Sequence, residues 1–256
     1  SRAVRLAMIT LSGEMGYPGV LSAPVWGFED VLFKGEPLSL PQAFGSYVME
    51  NVLFKISFPA EFHAQTAVEA ALELHSKIKD KLDDIKTIEI TTHKSAIRII
   101  SKVGELNNPA DRDHCLQYMV AIGLLKGDLV AEDYEDDVAS DPRIDALREK
   151  MIINEDKRYS EEYHEADKRS IANSIKIHFA DGSSTDEVEV EYPIGHKRRR
   201  EEGIPLLEQK FLKNLKISYD SEKCEEIYAL CTDQKKLENT SVIEFQELLS
   251  KKQNNF

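Results

Sequence analysis

From Phe62 onward, Ala64, Val68, Ala71, Leu72, His75, Ile78 and Leu82 recur every three or four residues, with Glu69, Glu73, Lys77 and Asp80 between them. That spacing predicts a helix packed along one side. Ile85 to Thr92 reads as a strand with Ile88 and Ile90 facing one way, and Lys94 to Val103 as a short helix after it. Asn108-Pro109 supplies a cap and a first-turn proline for a helix from Ala110 to Leu125, whose apolar positions include Leu116, Met119, Val120, Ile122 and Leu124, and Gly127 closes it. The β pattern is clearest from Ile171 to Tyr192, where Ile175, Ile177 and Phe179 alternate, Asp181-Gly182-Ser183-Ser184 turns, and Val188, Val190 and Tyr192 alternate with Glu187, Glu189 and Glu191. This predicts a hairpin with one wet face.

The two ends read differently. Val4, Leu6, Ala7, Met8 and Leu11 predict a helix over residues 1 to 14, broken by Gly16, Pro18 and Gly19, and it starts in mid-pattern without an initiator Met, so an incomplete chain is expected. Val25 to Phe33 groups large apolar residues, which places Trp26 and Phe28 in a core. Pro37 to Pro41 reads as a connection, and Tyr47 to Phe58 is β-branched and aromatic enough to include a strand before Pro59. Beyond Pro205 helical periodicity returns through Phe211, Leu215, Ile227, Leu230, Ile243 and Leu248, and the tail from Lys251 to Phe256 is expected to fray. The fold class expected is α+β: helical portions at 1–40 and 201–256 flank a smaller α+β domain at 41–200.

Composition narrows the partners. The 256 residues carry 33 Lys+Arg against 46 Asp+Glu, a net charge of -13, which argues against a general nucleic-acid binder or a binder of anionic membranes. The stretch from Asp128 to Asp167 holds 15 acids and 5 bases, so the rest of the chain is nearly neutral. A solvated face is the simple reading of that stretch, and an acidic adaptor surface for a basic partner is the alternative. No apolar run approaches the roughly 18 to 20 residues that span a bilayer. Cys115, Cys224 and Cys231 have no CxxC spacing and the seven histidines no metal-ligand spacing, so neither a metal nor a cofactor is expected.

Three groupings could carry chemistry. Phe54 to Thr66 leads into a helix N-terminus, where free N–H groups favour an anion and Lys55 and His63 add cationic donors; a carboxylate ligand fits, and so does a solvated lysine beside a capping histidine. Asp111, His114 and Tyr118 lie at i, i+3 and i+7, one face of the expected helix, so His114 and Tyr118 form either a proton-exchanging pair or a packed pair with His114 bonded to Asp111. His196-Lys197-Arg198-Arg199-Arg200 suits carboxylates, although Glu201 and Glu202 directly after it offer internal salt bridges.

Six separated blocks in order carry a family resemblance: Gly16-Tyr17-Pro18 through Phe28, Gly45 to Asn51, Phe54 to His63, Asp111 to Cys115 with Gln117-Tyr118, Asp141 to Lys150, and Glu191 to Arg200. The chain resembles the C-terminal half of the MmgE/PrpD family, and the likeness thins after about Lys216. The resemblance implies a lid domain between helical portions, a homodimer, and a metal-independent lyase that dehydrates the tricarboxylate 2-methylcitrate to 2-methyl-cis-aconitate in propionate breakdown by the methylcitrate cycle, mitochondrial in eukaryotes and cytoplasmic in bacteria. In related cis-aconitate decarboxylases a lysine before Phe-Pro-Ala and a tyrosine on the following lid helix belong to the site, and Lys55 and Tyr118 are the matching positions. Lys55 stands one residue further from Phe58 than in the decarboxylases, and a histidine they carry is replaced near Glu61, departures that favour dehydration. The implied mechanism has a base remove the proton alpha to a carboxylate, Lys55, His63 and Arg198 or Arg199 neutralise carboxylates, and Tyr118 or His114 protonate the departing hydroxyl. The expectation is therefore catalytic Tyr118, His114 and Lys55, substrate-binding His63, Arg198 and Arg199, no metal and no cofactor.

Overall fold

A computed structural model describes residues 1–250 apart from 41, 44 and 46, so the expected connection at Pro37 to Pro41 is described only in part and the tail from Lys251 to Phe256 lies outside the described residues. The chain divides into two compact units, Ser1–Met49 and Glu50–Phe256.

In the first unit, α1 (Arg2–Leu11) forms where helical spacing predicted it, and α2 (Phe28–Phe33) follows a turn closed by the Gly27 N–H donating to the Ala23 carbonyl at 2.6 Å. The apolar residues here are not core. Trp26 is 86% exposed and Phe28 is exposed as well, because a ten-residue and a six-residue helix cannot enclose them. α3 (Tyr47–Asn51) occupies the start of the expected strand. The remainder of that segment, up to Phe58, pairs in no ladder; Ile56 and Phe58 are buried by packing, and the Phe54 N–H bonds the Gly195 carbonyl at 3.2 Å. Aromatic and β-branched composition favours a half-buried extended chain, and the expected strand fails for want of a partner edge.

The second unit is a mixed α+β body around one four-stranded sheet. α4 (Gln65–Ile78) follows a single 3₁₀ turn at Phe62–Ala64 and buries Ala67, Val68, Ala70, Ala71, Leu74 and Ile78. β1 (Ile85–Thr92) buries Ile85, Ile88, Ile90 and Thr92, and an irregularity between Ile85 and Thr87 puts Ile85 on the same face as the even-numbered residues. α5 (Lys94–Ile100), α6 (Pro109–Asp113), α7 (Leu116–Lys126), α8 (Asp136–Ala139) and α9 (Pro142–Arg148) then cross to β2 (Met151–Glu155), which pairs parallel with β1. After α10 (Lys157–His164), β3 (Asn173–Phe179) and β4 (Val188–Val190) form the expected antiparallel hairpin, giving the order β2-β1-β3-β4.

The expected helix from Ala110 to Leu125 is broken. Asn108 caps α6 as predicted, its side-chain oxygen accepting the Asp111 N–H at 3.0 Å, but His114 leaves helical geometry and Cys115 is extended. α7 is buried at every position from Leu116 to Leu124, so it carries no one-sided stripe, whereas α6 carries the charged Asp111 and Asp113. A straight helix would align those charges with the core. Gly127 ends α7 in the left-handed region at φ 70, with the His75 ring where a Cβ would stand.

α11 (Arg200–Leu215), α12 (Ser221–Cys231), α13 (Gln234–Glu238) and α14 (Val242–Leu249) complete the unit with a small core of Leu215, Cys224 and Ile227. α11 starts five residues ahead of Pro205, which lies inside it and leaves the Glu201 carbonyl without its helical donor.

Candidate active site

The Phe58-Pro59-Ala60 segment enters α4 through Glu61, whose backbone is extended and whose carboxylate accepts the His63 N–H at 2.8 Å. The chain itself therefore supplies the anion expected of a ligand at this turn. The same carboxylate meets His63 Nδ1 at 3.0 and 3.1 Å, and the opposite ring nitrogen, Nε2, lies 3.2 Å from the Tyr163 hydroxyl on α10. With Nδ1–H donating to Glu61, Nε2 is the acceptor of the Tyr163 O–H, which gives a carboxylate–imidazole–phenol chain. Burial would raise the Glu61 carboxyl, but the hydrogen bonds from the His63 ring and N–H outweigh it and hold the group below its usual range.

His93, directly after β1, completes this cluster. Its ring stacks on Tyr163 at 4.6 Å and lies 5.2 Å from that of His63. The residue is 1% exposed, and among the described residues neither ring nitrogen has a hydrogen-bond partner. Burial, and then the neighbouring His63, push its pKa down to about 4. Lys55 is exposed, and among the described residues its ammonium pairs with none of the other expected site residues.

The break after α6 separates His114 from Tyr118. His114 is exposed and meets Asp113 at 3.3 Å, so neither the proton-exchanging pair nor the bond to Asp111 forms. Tyr118 is buried and donates its hydroxyl to the Asp133 carbonyl at 2.6 Å. Its ring stacks 6.1 Å from that of Tyr134, whose hydroxyl donates to the Pro59 carbonyl at 3.0 Å, so Tyr118 reaches the Phe-Pro-Ala turn through one intermediary. Desolvation outweighs the nearby Arg112 and Arg148 guanidinium groups and raises the Tyr118 phenol to about 12. Arg112 is fixed beneath, donating to the Tyr134 carbonyl at 2.6 Å.

The basic run is largely spent on the fold. Arg199 pairs with Glu69 of α4 at 2.7 Å and Glu202 at 2.8 Å and donates to the Tyr192 carbonyl, the internal salt bridges that Glu201-Glu202 suggested. Arg200 lies 4.0 Å over the Phe54 ring and donates to the Val52 carbonyl. Arg198 stacks 5.1 Å over Tyr192 and donates to the Asp167 carbonyl. Part of the acidic stretch is likewise paired with the chain's own cations: Lys126 with Asp133, Arg112 with Asp136, Arg143 with Asp141, and Lys168 with Glu162.

Sequence reasoning missed His93 and Tyr163. They come from the end of a strand and from a helix roughly a hundred residues beyond His63, and local spacing carries no trace of their meeting. Glu61 was legible only as the second-neighbour acid of His63. Among the described residues no cluster of three or more His, Cys, Asp or Glu could hold a metal ion.

Residues 58–234 match the MmgE/PrpD C-terminal domain. The chain is similar to 2-methylcitrate dehydratase of Cupriavidus necator, 55% identical over 251 residues, and to that of Escherichia coli K12, 56% identical; each match covers 97% of this chain and 52% of the relative. A mitochondrial 2-methylcitrate dehydratase of Yarrowia lipolytica is 55% identical over 256 residues, covering 98% of this chain and 49% of the relative. The chain thus spans about half the length of the curated relatives it matches. With a matched domain over most of its length and more than half its residues shared with those relatives, this chain belongs to the MmgE/PrpD family.

Proposed function

We propose that this chain is the C-terminal part of a hydro-lyase that converts 2-methylcitrate to 2-methyl-cis-aconitate. The observation that carries this reading is the 55% identity, extending over 97% of the chain, to a relative named for that reaction. In the same reading the α+β body around the sheet is a lid flanked by helical portions, the whole protein is a homodimer in the methylcitrate cycle of propionate breakdown, and its location is mitochondrial in a eukaryote and cytoplasmic in a bacterium.

Dehydration removes a proton alpha to a carboxylate, forms the carbon–carbon double bond and breaks the carbon–oxygen bond, and the departing hydroxide leaves as water after taking a proton. Fixed positive charge must hold the carboxylates and the developing enediolate. Lys55, exposed and without an ion pair among the described residues, is the substrate cation at the turn. Held by Glu61, His63 presents Nε2 for proton exchange through Tyr163, and Tyr118, kept protonated by burial, is the donor to the leaving hydroxyl. Arg198 remains a candidate for a carboxylate, while Arg199, held by Glu69 and Glu202, acts as a structural tie. The reaction is taken to need no metal, so a chelator leaves its rate unchanged.

The test is product analysis by mass after incubating the full-length protein carrying this chain with 2-methylcitrate and, separately, with cis-aconitate. Loss of water from the first is expected, and loss of carbon dioxide from the second would replace the reading with decarboxylation. Tyr118→Phe and His63→Asn are each expected to lower kcat at least about a hundredfold, and a variant with the wild-type rate removes that residue from the mechanism.

A further inference from the structure

Beside Tyr118, a cavity of about 180 Å³ lies among α6, α8 and α9, with Arg112, Tyr118, Asp136, Ser140, Asp145 and Arg148 in its wall. Its two guanidinium groups are 7% and 10% exposed, and their Nε atoms are buried without an acceptor. Both groups are held by neutral backbone: Arg112 donates to the carbonyls of Tyr134 and Leu106, and Arg148 to that of Gly104 at 2.9 Å. Each also pairs with an aspartate on the cavity wall, Arg112 with Asp136 at 2.7 Å and Arg148 with Asp145, but those carboxylates are 82% and 67% exposed, so water screens them. Buried arginine is ordinarily paired, and an unbonded N–H in a dry site is costly.

We propose that this cavity receives one carboxylate of the substrate, gripped by Arg112 and Arg148 in place of the exposed aspartates. The inference rests on the tricarboxylate reading for the identity of the ligand. A guanidinium fork suits a planar carboxylate, and two of them converging give orientation as well as charge. The volume is below the roughly 300 Å³ at which pockets for drug-sized ligands begin, so it fits one arm of the ligand rather than the whole. The adjoining cavity of about 350 Å³ shares Arg148 and Asp145 and adds Lys102 and Gln117, which gives the remaining arms a third cation. Placing one carboxylate here puts the ligand against the wall that contains Tyr118.

The experiment is calorimetric titration of tricarballylate, an unreactive tricarboxylate, into the full-length protein carrying this chain. Arg148→Gln is expected to weaken binding at least about tenfold. Asp145→Asn removes the competing carboxylate and is expected to tighten binding about threefold. Wild-type affinity in Arg148→Gln, or no binding by the wild type, overturns the pocket. Should Arg148→Gln fail to fold, Asp145→Asn decides alone, and an unchanged or weaker affinity overturns the proposal. If the variants behave as expected but 2-methylcitrate is not dehydrated, the reaction assigned above is wrong and the anion pocket stands; if dehydration proceeds while both variants bind as wild type does, the pocket falls and the reaction stands.

Discussion

His93 must stay neutral to remain where it is, with Tyr163 stacked on one face and His63 and Glu61 close by. In the unfolded chain its pKa returns to 6.5, whereas in the fold it is about 4. Above pH 6.5 neither state binds the proton and stability is complete. Below that the unfolded state binds it first, so stability falls with pH until about 4. The expected loss between pH 7 and pH 5 is about 2 kcal/mol from this residue. His196, buried against Tyr192 and lowered to about 4 by burial and then Arg198, adds to the loss over the same window. Urea titrations at the two pH values check this: His93→Phe, which keeps the stack and removes the titration, should flatten the dependence by His93's share, and an unchanged slope would assign it elsewhere. At this scale His63 was legible from its place before a helical run. The groups that give it a role were not, because Tyr163 and His93 reach it only through the packing of α10 and the end of β1.

Among elements, the join between the hairpin exit and the Phe54 segment positions the candidate site. Gly195 has φ 94, and a Cβ there would stand 2.1 Å from the Phe54 carbonyl oxygen, so side chains are excluded by conformation and by space together. Gly195→Ala is expected to cost about 2 kcal/mol or more in a denaturant melt, and to speed amide exchange at Phe54, whose N–H donates to the Gly195 carbonyl. Protection equal to wild type would show that the segment is held by other contacts. Period-based reading succeeded for α4, β1 and the β3–β4 hairpin, where one face is buried and the other is partly covered or exposed, so alternation survives in the residues. It found α7 and its Gly127 stop, but not the break at His114-Cys115 that undoes the expected His114–Tyr118 face, because a helix buried on every side leaves no period to mark where it begins. β2 was missed as well: Met151 to Glu155 is short and mostly exposed, and becomes a strand only because β1 offers a parallel edge.

For the whole molecule, the first unit exposes Leu6, Met8 and Leu11 on α1 and Met15 and Trp26 in the connection to α2, a concentration of large apolar side chains in water. The 256-residue polypeptide by itself is expected to bind a hydrophobic dye such as ANS and to leave 2-methylcitrate unchanged. Leu6→Glu with Leu11→Glu should lower dye binding without moving the melting of the α+β unit, and dye binding that persists would place the apolar surface elsewhere.

The residues alone determined the α+β class, the one-sided helix after the Phe-Pro-Ala turn, the hairpin and the family, because each depends on local periodicity or on residue identity at fixed spacing. Tertiary structure alone decided that Trp26 is exposed, that Arg199 ties α4 to α11, and that His93 and Tyr163 meet His63. The physical reason is that burial, charge pairing and ring stacking depend on distances between segments far apart in the chain, which no spacing along it encodes.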